Sequence, residues 1–268
     1  METWFTFFLK KGGRASLALK ELSSCKIQHE SVQKDFETGV ISICAVAEES
    51  LFPTTWKQID SYIKLSSSEI NWTDQWISFS PYFKEGLCQI PLSLFSDSKE
   101  TLLLHPGPGF GDLSHPTTSL VLELMGPFIQ ERIILDLGCG SGILGIGALK
   151  LKAFKAYSLD IDPLALSHTI ENGKLNQVEK SLFVSDHLPT NISSPPTVLL
   201  LNMIFSEQKK ALSSLSKKIL DSLSFWIVSG ILEEEKESYL SWATSQGLSL
   251  QAIQSKEGWL GLVFKTNN

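Results

Sequence analysis

The chain has 268 residues, of which 43% are hydrophobic and 19% are charged, a composition typical of a globular protein with one large domain or two smaller ones. Its formal net charge is -6 and its basic clusters are small, so it lacks the basic surface that nucleic-acid binding requires. We therefore expect no direct contact with nucleic acid.

The cysteines and the apolar runs argue against further classes. Cysteines stand at positions 25, 44, 88 and 139 without a C-x-x-C pair, so we predict neither a disulfide framework nor a metal site. Residues 4–9 are apolar, but this run is too short for a signal segment, and no run approaches the ~18 residues of a membrane span. We expect a cytoplasmic protein that does not interact with a membrane.

The first part of the chain alternates between strand and helix patterns. The predicted elements are a strand at residues 3–9, a helix from Arg14 to about Cys25, a strand at Val40–Ala47 and a helix at Thr55–Leu65. The last assignment follows the helical spacing of Trp56, Ile59 and Ile63. Residues 1–65 are therefore predicted to form a small α+β domain, which ends where the serine run at 66–68 breaks the pattern.

The remainder is predicted to be a linker region at 66–104 and a second domain at 105–268. The linker region contains short strand patterns around Leu87–Ile90 and Thr101–Leu104. From Ile133 onward an apolar run, a turn and a helix repeat, which predicts an α/β domain with a mostly parallel sheet covered on both faces. The apolar runs are Ile133–Leu137, Ala156–Ile161, Ser181–Val184, Val198–Leu201, Phe225–Val228 and Leu260–Phe264.

A glycine-rich loop follows the first of these runs. Gly138–Gly142, with the sequence GCGSG, lead into a predicted helix at 143–151, and their missing side chains let a ligand approach the backbone. A dinucleotide fingerprint has the spacing G-x-G-x-x-G, whereas here the third glycine comes one residue earlier. The spacing G-x-G-x-G after an acidic strand residue looks like motif I of class I methyltransferases that use S-adenosylmethionine. The alternative is a purely structural turn.

Polar residues follow the next strands. Asp160 ends the second strand, where a carboxylate can accept both hydroxyls of a ribose, whereas Asp162, just before Pro163, is interpreted as a helix N-cap. Asp186 follows the third strand and either faces an adenine amino group or belongs to a surface turn. Asn202 ends the fourth strand, at the edge where ligands bind in open α/β sheets, with a loop cap as the alternative.

Together these motifs resemble the PrmA family, methyltransferases of the large-subunit ribosomal stalk-base protein. The similar stretches, in chain order, are WTDQW at 72–76, FSPY at 79–82, HPGPGFGDLSHPTTS at 105–119, LDLGCGSGILGI at 135–146, DIDP at 160–163, Asn202 and SGIL at 229–232. The resemblance covers about Trp72 to Phe264, and the first 65 residues agree with the family only in their expected architecture.

The resemblance implies a class I methyltransferase fold, a small N-terminal domain for substrate docking, and S-adenosylmethionine as the cofactor. With the motifs above, the candidate cofactor-binding residues are Phe110, Thr117, Thr118, Gly138, Gly140, Asp160, Asp186 and Asn202. Residues 105–119, called the Pro/Gly segment below, would lie over the cofactor, since prolines restrict φ and glycines let the chain lie close to the ligand.

One part of this segment departs from the family pattern. Residues 111–115 read GDLSH where the family has G-T-G-T-H, so one glycine and two threonines are replaced. Ser114 can imitate a threonine hydroxyl, but Leu113 cannot adopt a positive φ cheaply. Asp112 adds a carboxylate near a cofactor that carries a positive sulfonium.

These observations predict an S-adenosylmethionine-dependent protein N-methyltransferase, monomeric, whose partner is the ribosomal stalk-base protein and whose targets are lysine or N-terminal amino groups. The stretch NMIF at 202–205 lacks the prolines of the N/D-P-P-Y/F motif of amide and base methyltransferases, which favours an amine. Asn202 is the candidate catalytic residue, His115 is interpreted as a cap, and no general base is assigned. The alternatives are a methyltransferase of another protein or a small molecule, and a non-catalytic member of the family that binds the cofactor or the ribosomal partner.

Overall fold

The chain divides into two structural units, residues 1–71 and 72–268. The structure is a computed structural model that describes residues 3–25, 27–34, 40–65, 76, 80–189, 192 and 194–267. The first unit has one apolar core, and the second has two, one on each face of its main sheet.

The first unit is an antiparallel sheet that packs against one helix. Its elements are β1 (Thr3–Leu9), α1 (Ala15–Ser24), β2 (Gln28–Lys34), β3 (Ile41–Ala47) and β4 (Ile59–Leu65), with the strand order β2-β3-β1-β4. Alternate residues of β1, Phe5 and Phe7, face the same core as Ala18 and Leu22 of α1. The predictions of β1, α1 and β3 are confirmed.

The helix predicted over Thr55–Leu65 is wrong, because this stretch contains strand β4. Trp56 belongs to the preceding loop, and its ring packs 5.5 Å from that of Phe7, whereas Ile59 begins the strand and is buried. The apparent helical spacing therefore combined residues of two different elements. Since β4 is an edge strand whose residues 60–64 are exposed, it also lacks the alternation that indicates a strand.

A small antiparallel sheet belongs to the second unit. It consists of β5 (Phe83–Lys84), β6 (Leu87–Pro91) and β7 (Thr101–Leu104), in that order. Ile90 and Leu102 are fully buried in the same core as residues of the main sheet. Residues 80–104, part of the region predicted as a linker, therefore pack within the second unit. The serine run at 66–68 and residues 72–75 lie outside the described residues.

The main sheet has seven strands in the order β10-β9-β8-β11-β12-β14-β13, of which the first five run parallel. Its elements are α2 (Pro116–Ile129), β8 (Ile133–Leu137), α3 (Ile143–Lys150), β9 (Lys155–Leu159), α4 (Pro163–Leu175), β10 (Leu182–Ser185), β11 (Val198–Asn202), α5 (Phe205–Ser213), α6 (Lys217–Ser222), β12 (Phe225–Leu232), α7 (Lys236–Ser245), β13 (Leu248–Lys256) and β14 (Trp259–Thr266). The predicted α/β class with a mostly parallel sheet is confirmed. Strand β13 was not predicted, because most of its side chains are exposed. Within the described ranges no helix has the length and apolar character needed to cross a membrane.

The strand order determines where a ligand can bind. The chain runs from β8 outward through β9 to β10, and then returns to the other side of β8 as β11. The loops that follow β8 and β11 therefore diverge, which opens a crevice at the carboxyl ends of the parallel strands.

A buried carboxyl group lies in β8, just before the glycine loop. Asp136 is 1% exposed, its Oδ2 accepts hydrogen bonds from Gly145 N at 3.0 Å and Ser158 Oγ at 3.4 Å, and its Oδ1 has no partner among the described residues. Burial raises the pKa of this carboxyl from 3.8 to about 7. The folded state binds this proton more tightly than the unfolded state does, so protonation of Asp136 stabilises the fold. This contribution is complete below pH 3.8 and is lost as the pH rises through about 7.

We predict that Asp136→Asn removes this pH dependence, because an amide does not titrate in this range. The free energy of unfolding of the parent, relative to the variant, should fall by up to roughly 4 kcal/mol between pH 4 and pH 8. Denaturant titrations at several pH values measure this difference, with the exposed Asp162→Asn as the matched control. A difference that stays constant with pH would show that Asp136 is ionised in the folded protein throughout.

Candidate active site

The carboxyl edge of the main sheet brings together the ends of four parallel strands. Gly138 follows β8, Asp160 follows β9, Asp186 follows β10, and Asn202 is the last residue of β11. The candidate residues that sequence patterns locate at strand ends therefore lie on one edge of the sheet.

Hydrogen bonds fix the glycine loop to the acidic residue of the next strand. Gly138 N donates to Leu159 O at 2.8 Å. Asp160 Oδ2 accepts from Gly140 N at 2.9 Å, and Asp160 Oδ1 accepts from Asp162 N at 3.0 Å. Each oxygen of an ionised carboxylate can accept more than one hydrogen bond, so Asp160 is held in position and can still accept from a ligand.

A cavity of about 750 Å³ opens beside this loop. Gly138, Asp160, Ile161 and Asp186 line it, and the side chain of Ile161 is 92% exposed. The Asp186 carboxylate accepts a hydrogen bond from the His187 ring, and this bond lowers the pKa of Asp186. The cavity therefore has two carboxylates and one exposed aliphatic side chain at its rim.

The inner wall of the cavity is apolar. Between β10 and β11 the described residues form no helix, so the sheet face there is covered by loop residues such as Leu188 and Ile192 and by the following helices. Met203, Leu215 and Ile219 complete the wall. A flat apolar group fits such a wall better than a charged one does.

The Pro/Gly segment lies directly on the glycine loop. A Cβ on Gly109 would stand 2.4 Å from Gly140 C, and a Cβ on Gly140 would stand 2.5 Å from Phe110 O, so neither position accepts a side chain. Ser141 N donates to Phe110 O at 2.9 Å, and Ser141 Oγ donates to Gly111 O at 2.7 Å. The close approach that these glycines allow is to the loop backbone, and a contact of the segment with the cofactor remains a prediction.

Two asparagines attach this segment to helix α4 and its C-cap. Asn172 Oδ1 accepts from His105 N at 2.8 Å, and its Nδ2 donates to Ser141 O at 2.8 Å. Asn176 Oδ1 accepts from Leu103 N at 2.9 Å, and Asn176 Nδ2 donates to Leu103 O at 2.6 Å. The two side chains therefore join the strand β7, the start of the Pro/Gly segment and the glycine loop.

His168 lies one turn earlier on the same helix face. Its Nδ1 accepts from Gly109 N at 3.1 Å and its Nε2 donates to His105 O at 2.7 Å, which requires the neutral ring with the proton on Nε2. Burial lowers the pKa of His168, which favours this neutral form. Sequence reasoning missed His168, Asn172 and Asn176, although polar residues at a spacing of four were a visible signal.

The turn at residues 111–114 is strained. Leu113 adopts φ +68°, although we expected that a leucine could not do so cheaply, and this conformation costs on the order of 1 kcal/mol. The Asp112 side chain offsets part of this cost, since its Oδ1 accepts hydrogen bonds from Ser114 N and Ser114 Oγ. Asp112 therefore acts within the turn in this structure.

Asn202 is connected to the start of helix α2. Its Nδ2 donates to Thr118 Oγ1 at 3.3 Å, and Thr118 is fully buried. The neighbouring Thr117 pairs through Oγ1 with His115 Nδ1 at 2.8 Å. His115 is the N-cap of α2 and Asp162 is the N-cap of α4, so both are caps as predicted.

Two other candidates take positions that do not test their predicted role. Gly140 uses its N–H on Asp160 and its carbonyl on Thr169 Oγ1 at 3.0 Å, so its backbone serves the loop itself. Phe110 is 43% exposed, and its ring lies 5.7 Å from that of His115. Cofactor contacts of both residues remain predictions.

Comparisons with known proteins identify the family to which this chain is similar. The family model of ribosomal protein L11 methyltransferase (PrmA) matches residues 18–267. The ribosomal protein L11 methyltransferase of Prochlorococcus marinus is 30% identical over 97% of this chain and 90% of its own length. That of Haemophilus influenzae is also 30% identical, over 86% of this chain and 78% of its own length.

A solved structure supports the fold. The ribosomal protein L11 methylase of Lactobacillus delbrueckii subsp. bulgaricus superposes with a TM-score of 0.56 at 22% identity, covering 67% of this chain and 99% of that one. Since the family model matches most of the chain and relatives reach 30% identity over most of their length, this chain belongs to the PrmA family of methyltransferases.

Proposed function

We propose that this chain transfers methyl groups from S-adenosylmethionine to amino groups of ribosomal protein L11, on lysine side chains or the N-terminus. Membership of the PrmA family and the names of the relatives support this substrate. The hydrogen bonding of the glycine loop is the observation that carries the choice of cofactor.

Every backbone N–H from Gly138 to Ile143 already donates to an acceptor of the protein. A dinucleotide needs free N–H groups at the start of the following helix, because its pyrophosphate is bound there. This loop has none to offer, which favours a cofactor without phosphate. S-adenosylmethionine meets that condition.

The cavity residues fit the nucleoside part of this cofactor. Asp160 can accept from both ribose hydroxyls, the exposed Ile161 can pack against the adenine face, and Asp186 can accept from the adenine amino group. A Cβ on Gly138 would stand 2.2 Å from Met203 Cε, so the missing side chain leaves room for Met203 in the cavity wall. When bound, the cofactor supplies an electrophilic methyl group on a positively charged sulfur.

Asn202 is suited to orient the incoming amine. Its Nδ2 donates to Thr118, and the described residues provide no donor to its Oδ1. Oδ1 can therefore accept a hydrogen bond from an amine N–H, which turns the nitrogen lone pair toward the methyl carbon. Orientation is a large term in such a displacement, while the amine must lose its proton before it can attack.

The first unit is the candidate docking domain. Every candidate cofactor residue lies in the second unit, and the first carries none. On the sheet face opposite α1, Ile63 pairs with Thr6 and is 52% exposed. The exposed side chain of Ile63 is available to contact a protein substrate that docks on this face.

A labelled-methyl transfer assay on purified ribosomal protein L11 tests the proposed function. Incorporation of label into amino groups of L11 is expected. If label enters another protein or a small molecule instead, the substrate assignment is wrong. If the chain binds S-adenosylmethionine and transfers nothing, it is a non-catalytic member of the family.

We predict that Asp160→Ala weakens S-adenosylmethionine binding by roughly 1.5–3 kcal/mol, because it removes the acceptors for the ribose hydroxyls and the partner of Gly140 N. Isothermal calorimetry measures the affinity. The matched control is Asp162→Ala, which removes an N-cap bond to Leu164 N and should cost about 1 kcal/mol of stability while the affinity is retained. Equal affinities of the folded Asp160 variant and the parent would disprove the ribose assignment.

We predict that Asn202→Ala lowers kcat for methylation of L11 by an order of magnitude or more, because the amine loses its orienting acceptor. The affinity for S-adenosylmethionine should fall less than kcat does. Steady-state kinetics together with calorimetry separate the two effects. If turnover equals that of the parent, Asn202 is only a loop cap.

We predict that Ile63→Ser raises the KM for L11 severalfold and leaves the affinity for S-adenosylmethionine unchanged, because the residue lies on the proposed docking face. The matched control is Leu94→Ser, at an aliphatic residue of the second unit that is 49% exposed. An unchanged KM, or the same rise in both variants, would contradict a docking role for this face.

A further inference from the structure

A buried amide lies directly behind the carboxyl end of β11. Gln208 of α5 is 0% exposed, and its Nε2 donates to Met203 O at 2.7 Å and to Ser229 O at 2.9 Å. Its Oε1 accepts from Tyr239 OH at 2.6 Å. The buried amide of Gln208 therefore donates two hydrogen bonds to backbone carbonyls and accepts one from a tyrosine hydroxyl.

A buried glutamine at position 208 needs a physical explanation. Burying an amide is unfavourable unless it is hydrogen-bonded, and an apolar side chain of the same size fills a core position without that requirement. Tyr239 is also nearly fully buried, at 1% exposure, so the Gln208–Tyr239 pair lies within the apolar core. Its value to the protein is the geometry that it imposes on the two carbonyls.

Those two carbonyls lie where the strands β11 and β12 separate. Asn202 pairs with Ser229, and beyond this pair the register of β12 is interrupted around Gly230. Gly230 has φ +84°, and a Cβ there would stand 2.3 Å from Met203 O. Gln208 thus bridges the residue after Asn202 to the residue opposite Asn202, at a point where the strand ladder ends.

We propose that Gln208, held by Tyr239, is a positioning residue for Asn202. It fixes the carbonyl of Met203, the residue after Asn202, and so restrains the backbone that directs the Asn202 side chain toward Thr118 and the incoming amine. An in-line displacement is sensitive to displacements of about 1 Å, so a loosened strand end lowers the rate without changing which residues are present. This inference rests on the proposed function.

The test is a double-mutant cycle that combines Gln208→Met with Asn202→Ala, measured as kcat for methylation of ribosomal protein L11. Methionine keeps the length and volume of glutamine and removes the three hydrogen bonds. We expect Gln208→Met to lower kcat roughly tenfold with nearly unchanged KM for both substrates. In the Asn202→Ala background the same change should alter kcat less than twofold, because the residue through which it acts is gone.

A control and a second variant separate positioning from stability. Leu212→Ala, on the same helix and in the same core, should destabilise the protein and leave kcat unchanged at a temperature where it is folded. If Gln208→Met does not fold, Tyr239→Phe loosens the same pair from its other end and should lower kcat two- to threefold, again only when Asn202 is present.

The outcomes are distinct. Equal losses in both backgrounds, or no loss in either, overturn the inference. A loss of kcat in Leu212→Ala as large as in Gln208→Met also overturns it, since stability would then explain both. If the parent protein does not methylate L11, the proposed function is wrong. If the Asn202→Ala variant has full turnover, the role of Asn202 is wrong. Neither result involves a change at Gln208, so both differ from a failure of the Gln208 inference itself.

Discussion

The candidate cofactor site depends on a close contact between the backbones of the Pro/Gly segment and the glycine loop. A Cβ on Gly109 of the Pro/Gly segment would overlap the backbone of Gly140, and a Cβ on Gly140 would overlap the backbone of Phe110 in that segment. This contact lets Ser141 donate from both its N–H and its hydroxyl to the segment. The conformation of the glycine loop depends on the Pro/Gly segment, because carbonyls of that segment accept both hydrogen bonds from Ser141. The glycine loop and the Pro/Gly segment therefore depend on each other for their conformation.

Hydrogen bonds also hold the polar side chains at the carboxyl edge of the sheet. Asp160 accepts hydrogen bonds from two backbone N–H groups, Asn202 donates to Thr118 Oγ1, and Gln208 donates to the carbonyl of Met203, the residue after Asn202. If Asp160 and Asn202 bind as proposed, the ordering cost of binding is small, since hydrogen bonds already set their positions.

Patterns along the sequence were sufficient for features that depend on neighbours in the chain. The parallel strands, the caps at His115 and Asp162, and the location of Asp160 at a strand end follow from local spacing, and the structure agrees. Strand β4 was mistaken for a helix because an edge strand with exposed residues has no alternation. The bonds of Gln208 and Asn172 could not be predicted, since the groups that they pair with are backbone atoms of distant segments.

The asparagines of the α4 region also set an order of assembly. Asn172 and Asn176 bind residues that lie 67 and 73 positions earlier in the chain. Contacts between residues so far apart in the sequence close a long stretch of chain, which has an entropic cost. During synthesis the hydrogen bonds that attach Leu103 and His105 to the α4 region can therefore form only after Asn176 and Asn172 have left the ribosome.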